Sequence, residues 1–346
     1  MTRARLTIDL DAIVANWRAL NALTGPATRT GAVVKANAYG LGAARVAAAL
    51  ATAGAADFYV AIAEEARTLR AAIGPGPAIY VFAGYTGADR AVCAETGFRP
   101  LLNTPEQIAA FAADFPGAPC GLQLDSGMNR LGLEAEDLAA ADLSALHLTR
   151  VVSHLASADD SAHPQNAAQI AAFARMTAGF APDLLSLAAT AGILLGPAAH
   201  FAHTRPGIGL YGGSAFAGAR PAVALDIPVI QIRSVAPAES VGYGAAWTAT
   251  RATRVATISA GYADGIFRNL GSNFSLFAGT TPCPAIGRVS MDLITVDVTG
   301  LPDPPDTLGL FGAGQTLADL AATAGTIPYE ILTALGPRYE RVYKGG

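Results

Sequence analysis

The chain has 346 residues, enough for two domains or for one barrel with an appended domain. Hydrophobic residues make up 52% of it and charged residues only 14%, a composition typical of a folded enzyme and not of a disordered chain. The formal net charge of −4 leaves no basic footprint, which argues against nucleic acid as the main partner.

Strands and helices alternate through the first two hundred residues. The alternating stretch 6–10 predicts a strand, followed by a helix over 12–20 for which Asp11 is the expected cap. Further strands are predicted at 31–34, 58–61, 78–82, 99–102 and 119–124, with strand ends at 151–154, 184–186 and 204–208. Helices are predicted at 43–53, 63–72 and 88–95, and after the cap Thr104 with Pro105 as first residue. Repeated βα units of this number predict a parallel α/β domain, and we prefer a TIM-type (β/α)8 barrel to an open sheet.

The composition changes after residues 212–214. From Leu225 onward the segments are short and strand-like, at 226–233, 253–258, 285–289 and 293–298. We therefore predict a barrel domain over 1–220 and a mainly β domain over 221–346, with the first strand free to join either.

A lysine ends the first apolar run of the barrel pattern. Residues 31–34 indicate a buried strand with Lys35 at its carboxyl end, and Gly40 and Gly42 predict a turn after it. Because desolvation disfavours an ammonium, this lysine could be partly neutral and able to attack an aldehyde. The alternative is a structural lysine whose charge reaches solvent or a carboxylate, and spacing alone leaves both interpretations open.

Two familiar patterns do not fit their surroundings. Residues 207–212 match G-x-G-x-x-G, but Arg205-Pro206 precedes them and no helix or acidic residue follows at the expected distance, so a dinucleotide site is not predicted. Successive small residues there still allow backbone N–H groups to approach a phosphate. His200 and His203 lack a third ligand of the usual kind, and we assign no metal.

Other polar stretches follow predicted strands. They are 125–132, Val152-Ser153-His154 and 205–207. The carboxyl-end loops of a barrel hold its active site, so these residues and Lys35 are expected to converge on one mouth. Each has a structural explanation by itself, but together they predict a cofactor site.

At this point the chain resembles a known family. Residues 32–40 are similar to the pyridoxal-phosphate lysine motif of alanine racemases, and similar motifs recur in order at 125–132, 205–212, 242–244, 261–265 and 287–292. The resemblance implies a barrel followed by a β domain, and racemisation of L-alanine and D-alanine through pyridoxal 5'-phosphate bound to Lys35.

The resemblance also implies roles for individual residues around the cofactor. It places Tyr39, Thr190, Gly207, Ile208 and Tyr329 at the cofactor phosphate, Arg205 at the pyridine nitrogen and His154 near Arg205. Because a guanidinium keeps its proton, Arg205 would hold that nitrogen as an acceptor and weaken the ring as an electron sink.

Racemisation needs acid–base groups on opposite faces of the substrate. The resemblance implies Lys35 as one base and the partner subunit's Tyr243 as the other, which requires a homodimer with shared active sites. Arg130, Met291 and Tyr262 would bind the substrate. Without the resemblance, Tyr243 and Tyr262 would be interpreted as ordinary packing residues.

Three positions depart from the family pattern. Gln123 stands where many relatives have a modified lysine, so we expect Arg130 to be oriented by another anion, such as a chloride near Gln123 and Arg130. Ala189-Thr190 replaces an Asn-Ser pair, and Ser290 replaces a cysteine found in some relatives. These departures leave open a racemase of broader range that acts on serine or another small amino acid.

Two further alternatives are a pyridoxal-phosphate-binding protein without turnover and a barrel-plus-β decarboxylase. A carrier has no need of the opposing base Tyr243, and a decarboxylase would benefit from a carboxylate where Arg205 stands.

The cysteines and the hydropathy pattern bear on location. Cys93, Cys120 and Cys283 are odd in number and far apart, which predicts reduced thiols and a cytoplasmic protein. No segment approaches eighteen uninterrupted apolar residues, so we expect no membrane partner.

Overall fold

The computed structural model describes residues 3–346, and the chain divides into two compact units. One unit comprises Ile13–Leu210 and Ala215–Ala219. The other comprises the N-terminal segment up to Ala12, the short stretch Tyr211–Ser214 and the C-terminal part Arg220–Gly346.

The chain begins with strand β1 (Arg5–Asp9) and helix α1 (Leu10–Thr24). Asp9 Oδ1 accepts a hydrogen bond from the backbone N–H of Ala12 at 2.8 Å. The prediction that Asp11 caps this helix is therefore wrong. The helix begins directly after the strand, so Asp9 occupies the N-cap position. The N–H group of Ala12, three residues later, has no partner within the helix and is free to bond Asp9.

The larger unit is a barrel of short parallel strands. In chain order they are β2 (Arg29–Thr30), β3 (Ala32–Val33), β4 (Asp57–Val60), β5 (Ala78–Val81), β6 (Arg99–Leu102), β7 (Pro119–Gln123), β8 (His147–Val152), β9 (Leu185–Ser186) and β10 (His203–Thr204). Within the sheet they run β2-β10-β9-β8-β7-β6-β5-β4-β3.

Two of these strands are halves of one extended segment, and together they close the barrel. β2 pairs with β10 and β3 pairs with β4, and between them the N–H of Gly31 donates to the carbonyl of Thr204 at 2.9 Å. A Cβ on Gly31 would lie 2.8 Å from Asp57 O and from the Tyr59 ring, so only glycine allows this approach. The predicted (β/α)8 barrel is confirmed.

Helices follow the barrel strands. They are α2 (Lys35–Tyr39), α3 (Ala43–Thr52), α4 (Ala63–Ile73), α5 (Arg90–Thr96), α6 (Pro105–Asp114), α7 (Ala135–Ala140), α8 (Pro164–Met176) and α9 (Thr190–Leu194). Thr104 caps α6 as predicted, since its side chain accepts from the N–H of Gln107.

Two strand bounds differ from the prediction. Strand β8 begins four residues before its predicted start. Strand β10 ends at Thr204, because the chain then turns into a 3-10 helix at Ile208–Tyr211.

The smaller unit is built mainly from β-strands. They are β11 (Val223–Val235), β12 (Ser240–Val241), β13 (Trp247–Thr248), β14 (Thr253–Ile258), β15 (Ser275–Ala278), β16 (Thr281–Ile286), β17 (Ile294–Asp297), β18 (Thr307–Phe311) and β19 (Glu340–Lys344), with helices α10 (Leu317–Ala324) and α11 (Pro328–Thr333). The predicted mainly β second half is confirmed.

The long strand β11 organises this unit. Its first part pairs with β1 and β18, and its second part, from Val229 to Val235, pairs with β14. The sheet order β14-β17-β16-β15-β18-β11 therefore returns on itself through the β11–β14 pairing. β1 pairs with β11 and β19, which puts the first strand, left open by the sequence, in this sheet.

Among residues 3–346, no helix is both long and apolar enough to cross a membrane.

Candidate functional site

Lys35 lies directly after β3, at the start of a short turn with an unusual backbone. Ala36, Asn37, Ala38 and Tyr39 have φ values of 51°, 56°, 53° and 55°. These four residues form a turn of left-handed helix, a conformation that costs about 1–2 kcal/mol for each residue other than glycine. The sequence predicted a turn at Gly40 and Gly42, but the left-handed backbone begins before either glycine.

Hydrogen bonds from outside the turn hold it in place. The Asn37 side-chain oxygen accepts from the N–H of Ala43 at 2.8 Å. Glu65, in the first turn of α4, accepts from the N–H of Ala36 at 2.5 Å and from the N–H of Ala61 at 2.7 Å. The backbone after Lys35 is thereby tied to the next loop of the barrel.

The surroundings of Lys35 favour its neutral amine. Burial lowers the pKa of Lys35, the Arg130 guanidinium lowers it further, and the Glu65 carboxylate opposes both. Lys35 Nζ also lies 5.7 Å from the centre of the Phe82 ring. A neutral amine can act as a nucleophile or accept a proton.

Arg205 is buried, and within residues 3–346 its hydrogen bonds go only to uncharged oxygens. Its guanidinium donates to Ser186 Oγ at 2.5 Å, to Ser153 O at 2.5 Å and to Leu187 O at 3.3 Å. Burial lowers the pKa of Arg205 to about 10, with the nearby Arg150 acting in the same direction and Tyr59 opposing it. Arg205 therefore remains protonated at neutral pH.

The loop after Arg205 forms a cradle of small residues. Thr190 Oγ1 accepts from the N–H groups of Gly207 at 3.1 Å and Gly209 at 3.2 Å. A Cβ on Gly207 would lie 2.3 Å from Tyr39 Oη, so glycine is required for the tyrosine hydroxyl to reach this loop. Tyr39, Thr190 and Ile208 are all buried. Donors and hydroxyls gathered in this way suit an anion such as a phosphate.

His154 is surrounded by positive charge. Burial lowers its pKa to about 3, and Arg205, Arg130 and Lys35 each act in the same direction. His154 is therefore neutral at pH 7. The same electrostatic couplings indicate that the residues predicted after β3, β7, β8 and β10 share one end of the barrel.

Arg130 is carried by a loop that folds back on itself. Asp125 accepts hydrogen bonds from the N–H groups of Gly127, Met128 and Arg130 at 2.8, 2.9 and 3.2 Å. Burial acts to raise the pKa of Asp125, but these backbone N–H groups outweigh it and lower the pKa. Gln123 is buried and donates to the carbonyl of Leu131 at 3.3 Å, so its amide supports the same loop.

The remaining predicted residues belong to the other unit. Tyr243 lies between β12 and β13, with its side chain 72% exposed. It lines a cleft of about 740 Å³ together with Arg233, Arg288 and Leu293. Tyr329 lies in α11 and is half-buried.

Tyr262 and Met291 are both exposed, on two loops that an arginine ties together. The N–H of Tyr262 donates to Ser290 O at 3.0 Å. Arg338 donates two hydrogen bonds to the Asp264 carboxylate, of 2.6 and 2.7 Å, and a third of 2.7 Å to that of Asp292.

Three residues that support the site carry little or no functional signal in the sequence. Glu65 occupies the third position of α4, where a glutamate commonly caps a helix, and that position was the available signal. Ser186 ended a predicted strand but was given no role, although it bonds Arg205. Tyr59 lies 6.0 Å below the Arg205 guanidinium and carried no signal beyond its place in a strand.

The two histidines considered as metal ligands have other partners. His200 bonds the carbonyl of Ile193 at 2.8 Å and His203 bonds that of Asp183 at 2.9 Å. Within the described range 3–346, no group of three or more potential metal-ligating side chains is found.

Comparison with family models matches both parts of the chain. Residues 8–215 match the model for the alanine racemase N-terminal domain, and residues 222–343 match that for the alanine racemase C-terminal domain. The chain belongs to the alanine racemase family. Members of this family are pyridoxal-phosphate-dependent isomerases.

Individual relatives of the alanine racemase family agree over the whole length. An alanine racemase of Cereibacter sphaeroides is 56% identical over 345 residues, covering 99% of each chain. One from Dinoroseobacter shibae is 54% identical over 348 residues, covering 100% of this chain and 99% of the other.

A solved structure also matches this chain over nearly its whole length. The alanine racemase of Bartonella henselae, with covalently bound pyridoxal phosphate, is 37% identical with a TM-score of 0.93, covering 99% of this chain and 100% of the other.

Proposed function

We propose that this protein interconverts L-alanine and D-alanine with pyridoxal 5'-phosphate as its cofactor. The observation that carries the proposal is the environment of Lys35, whose pKa is lowered by burial and by Arg130 at the end of the barrel that also holds His154 and Arg205. The full-length similarity to curated alanine racemases supports the same substrate.

The residues of the barrel fit this cofactor. Lys35 supplies a primary amine for its aldehyde, and the cradle of Thr190, Tyr39 and the N–H groups from Gly207 onward suits its phosphate. Arg205 would hold its pyridine nitrogen. When bound, the cofactor draws electrons from the substrate and so makes the Cα proton more acidic.

The chain's own groups then handle the proton. Lys35 would remove or return it on one face, because burial and Arg130 lower its pKa and so favour the neutral amine. Arg205 keeps its proton and would hold the ring nitrogen as an acceptor, which favours quick return of the proton to Cα. Arg130, the backbone at Met291 and Tyr262 would bind the substrate.

The opposite face needs a second base, and we propose the partner subunit's Tyr243. Its 72% exposed side chain, on the rim of a wide cleft, supports a role toward a second chain. The proposal includes a homodimer in which each site is completed by the partner. Tyr329 would join the residues at the cofactor phosphate.

Cα exchange in heavy water tests the reaction. The protein, supplied with pyridoxal phosphate, is incubated separately with L-alanine, L-serine and other small L-amino acids, and Cα deuterium and D-isomer are followed. We expect both with alanine. Faster turnover of serine than alanine would favour the broader-range racemase, for which Gln123, Ala189 and Ser290 are the reasons. Absence of exchange with any small amino acid contradicts racemisation and leaves a non-catalytic binding protein.

Tyr243→Phe tests the second base. Since a phenol is needed on one face only, exchange into one enantiomer should persist while exchange into the other and racemisation both fall. Equal and negligible losses for both enantiomers would remove Tyr243 from the reaction. Sedimentation equilibrium of the same preparations tests the homodimer.

A bound anion near Gln123 and Arg130 belongs to the proposal as well. Gln123 is a neutral amide already engaged with Leu131, so it supplies no negative charge to orient the arginine. A chloride there would provide that charge. Crystals grown with bromide should show an anomalous peak beside Arg130, and its absence at high resolution would contradict the anion.

The cytoplasmic location stays a prediction from the cysteines. Cys93, Cys120 and Cys283 are free and buried. Fractionation of cells that express the protein is the corresponding test.

A further inference from the structure

The left-handed turn after Lys35 needs an external support. Four consecutive residues other than glycine lie at φ values between 51° and 56°, and such backbones persist only where surrounding contacts fix them. The first N–H group of the turn, that of Ala36, donates to Glu65 Oε1 at 2.5 Å, across 29 positions of sequence. The support therefore comes from the neighbouring βα unit.

Glu65 has two oxygens, and each holds a different loop. Oε2 accepts from the N–H of Ala61 at 2.7 Å and from that of Ile62 at 3.4 Å, at the start of α4. Oε1 is directed to Ala36. A carboxylate that only capped α4 would bond the helix entrance alone, so the contact to Ala36 is additional to capping.

We propose that Glu65 is a positioning residue for Lys35: its carboxylate clamps the left-handed turn to the entrance of α4 and thereby aims the lysine into the mouth of the barrel. The inference rests on the proposed function, because it presumes that Lys35 is the reactive amine. Nothing in the role of Glu65 requires it to touch substrate or cofactor.

The charge of Glu65 also acts on Lys35. The groups that bear on this lysine are Arg130, which lowers its pKa, Glu65, which raises it, and the neutral His154, whose own pKa is lowered by the lysine. The centre of the Phe82 ring lies 5.7 Å from the amine nitrogen. Loss of the Glu65 charge should therefore move the pKa of Lys35 further down.

The adjacent residue offers a matched control. Glu64 also lies in the first turn of α4 and is exposed, and among residues 3–346 it makes no hydrogen bond to the turn after Lys35. Glu64→Gln removes the same charge from the same helix terminus, where it favours the helix dipole. Glu65→Gln removes the charge and one of the two acceptors, whereas Glu65→Asp keeps the charge but shortens the bridge.

The first measurement is amide hydrogen exchange by mass spectrometry on the full-length protein with pyridoxal phosphate bound. In Glu65→Gln and Glu65→Asp we expect exchange in the segment 36–42 to become at least about tenfold faster, as the loss of a charged hydrogen bond implies. Glu64→Gln should leave this segment unchanged. Faster exchange confined to α4 would show that Glu65 is only a helix cap and would overturn the proposal.

The second measurement is the pH profile of Lys35 reactivity. Full-length protein freed of cofactor is mixed with pyridoxal phosphate between about pH 6 and 10, and formation of the covalent linkage is followed by absorbance. The midpoint should shift to lower pH in Glu65→Gln and stay in place in Glu64→Gln. An unshifted profile, even with a loosened turn, would also overturn the positioning role. Neither readout uses racemisation, so failure here is distinct from failure of the proposed reaction.

Discussion

Two arginines are buried inside the same barrel, and the protein compensates their charges differently. Arg150, 4% exposed, places Nη2 3.1 Å from Asp57 Oδ2, and Arg205, 2% exposed, bonds one hydroxyl and two carbonyls. Burial acts to lower the pKa of both. Tyr59, Tyr80 and Asp57 outweigh it and raise the pKa of Arg150, whereas the pKa of Arg205 falls to about 10.

Each of the two guanidiniums lies over a different ring of one aromatic stack. Tyr59 and Tyr80 are stacked with centroids 5.1 Å apart. Arg205 lies 6.0 Å from the Tyr59 centroid and Arg150 lies 5.1 Å from the Tyr80 centroid, both within the range of cation–π attraction. Arg150, whose charge is neutralised by Asp57, stabilises the fold. The arginine with uncharged partners retains a charge for a ligand, as the proposed contact with the cofactor requires.

The largest expected effect follows removal of the neutralised arginine. Arg150→Met leaves the Asp57 carboxylate largely buried without its partner, which should lower the free energy of unfolding by about 3–5 kcal/mol. Urea denaturation measures this loss. The double variant Arg150→Met, Asp57→Asn should recover part of it, and a single variant as stable as the parent would contradict the role of this pair.

Lowering the pH should reduce the free energy of unfolding through His203, which lies beside the Arg150–Asp57 pair. His203 Nδ1 lies 3.7 Å from Asp57, and burial, with Arg150, lowers the pKa of His203 to about 4. An unfolded histidine titrates near ~6.5, so the unfolded chain binds more protons and stability is lost as the pH falls from about 6.5 to 4, by up to about 3 kcal/mol. Thermal unfolding across this range measures the loss, and His203→Gln should reduce it. His154, whose pKa is about 3, contributes with the same sign. An identical pH dependence in His203→Gln would contradict this assignment.

Removal of the other arginine should affect folding less than activity. Arg205→Met leaves Ser186 Oγ and two carbonyls without a donor but no buried carboxylate unpaired, which should cost about 1–2 kcal/mol. Racemisation should fall far more steeply, because the pyridine nitrogen would lose the donor proposed for it. Denaturation and activity measured on one preparation separate the two effects. If Arg205→Met lost as much stability as Arg150→Met, the two arginines would not differ in their contribution to folding.

The smallest effect concerns Tyr59, the ring over which Arg205 lies. Among residues 3–346, Tyr59 Oη has no hydrogen-bond partner although it is fully buried. Tyr59→Phe keeps the stack and removes a desolvated hydroxyl, so the free energy of unfolding should change by less than about 1 kcal/mol, in the stabilising direction. Urea denaturation is the measurement. A clear destabilisation would mean that the hydroxyl has a partner such as a bound water.

Much of this arrangement was readable from the sequence because it depends on local patterns. Alternating βα units predicted the barrel, and the Thr104-Pro105 pair predicted a helix start that the structure confirms. The motif around Lys35 predicted a strand end followed by a turn. Side-chain periodicity and capping act over a few residues, so one sequence suffices to recognise them.

The tertiary structure alone decided how the groups are paired. Ala36, Asn37 and Ala38 have no intrinsic preference for a left-handed backbone, and the contact that supports it comes from Glu65, 29 residues away from Ala36. The partners of Arg150 and Arg205 likewise come from other strands, as does the pairing that places β1 beside β11. Local chemistry determined which elements form and where reactive side chains stand. Closure of the barrel decided which charges are neutralised and which remain available, because that depends on contacts between distant parts of the chain.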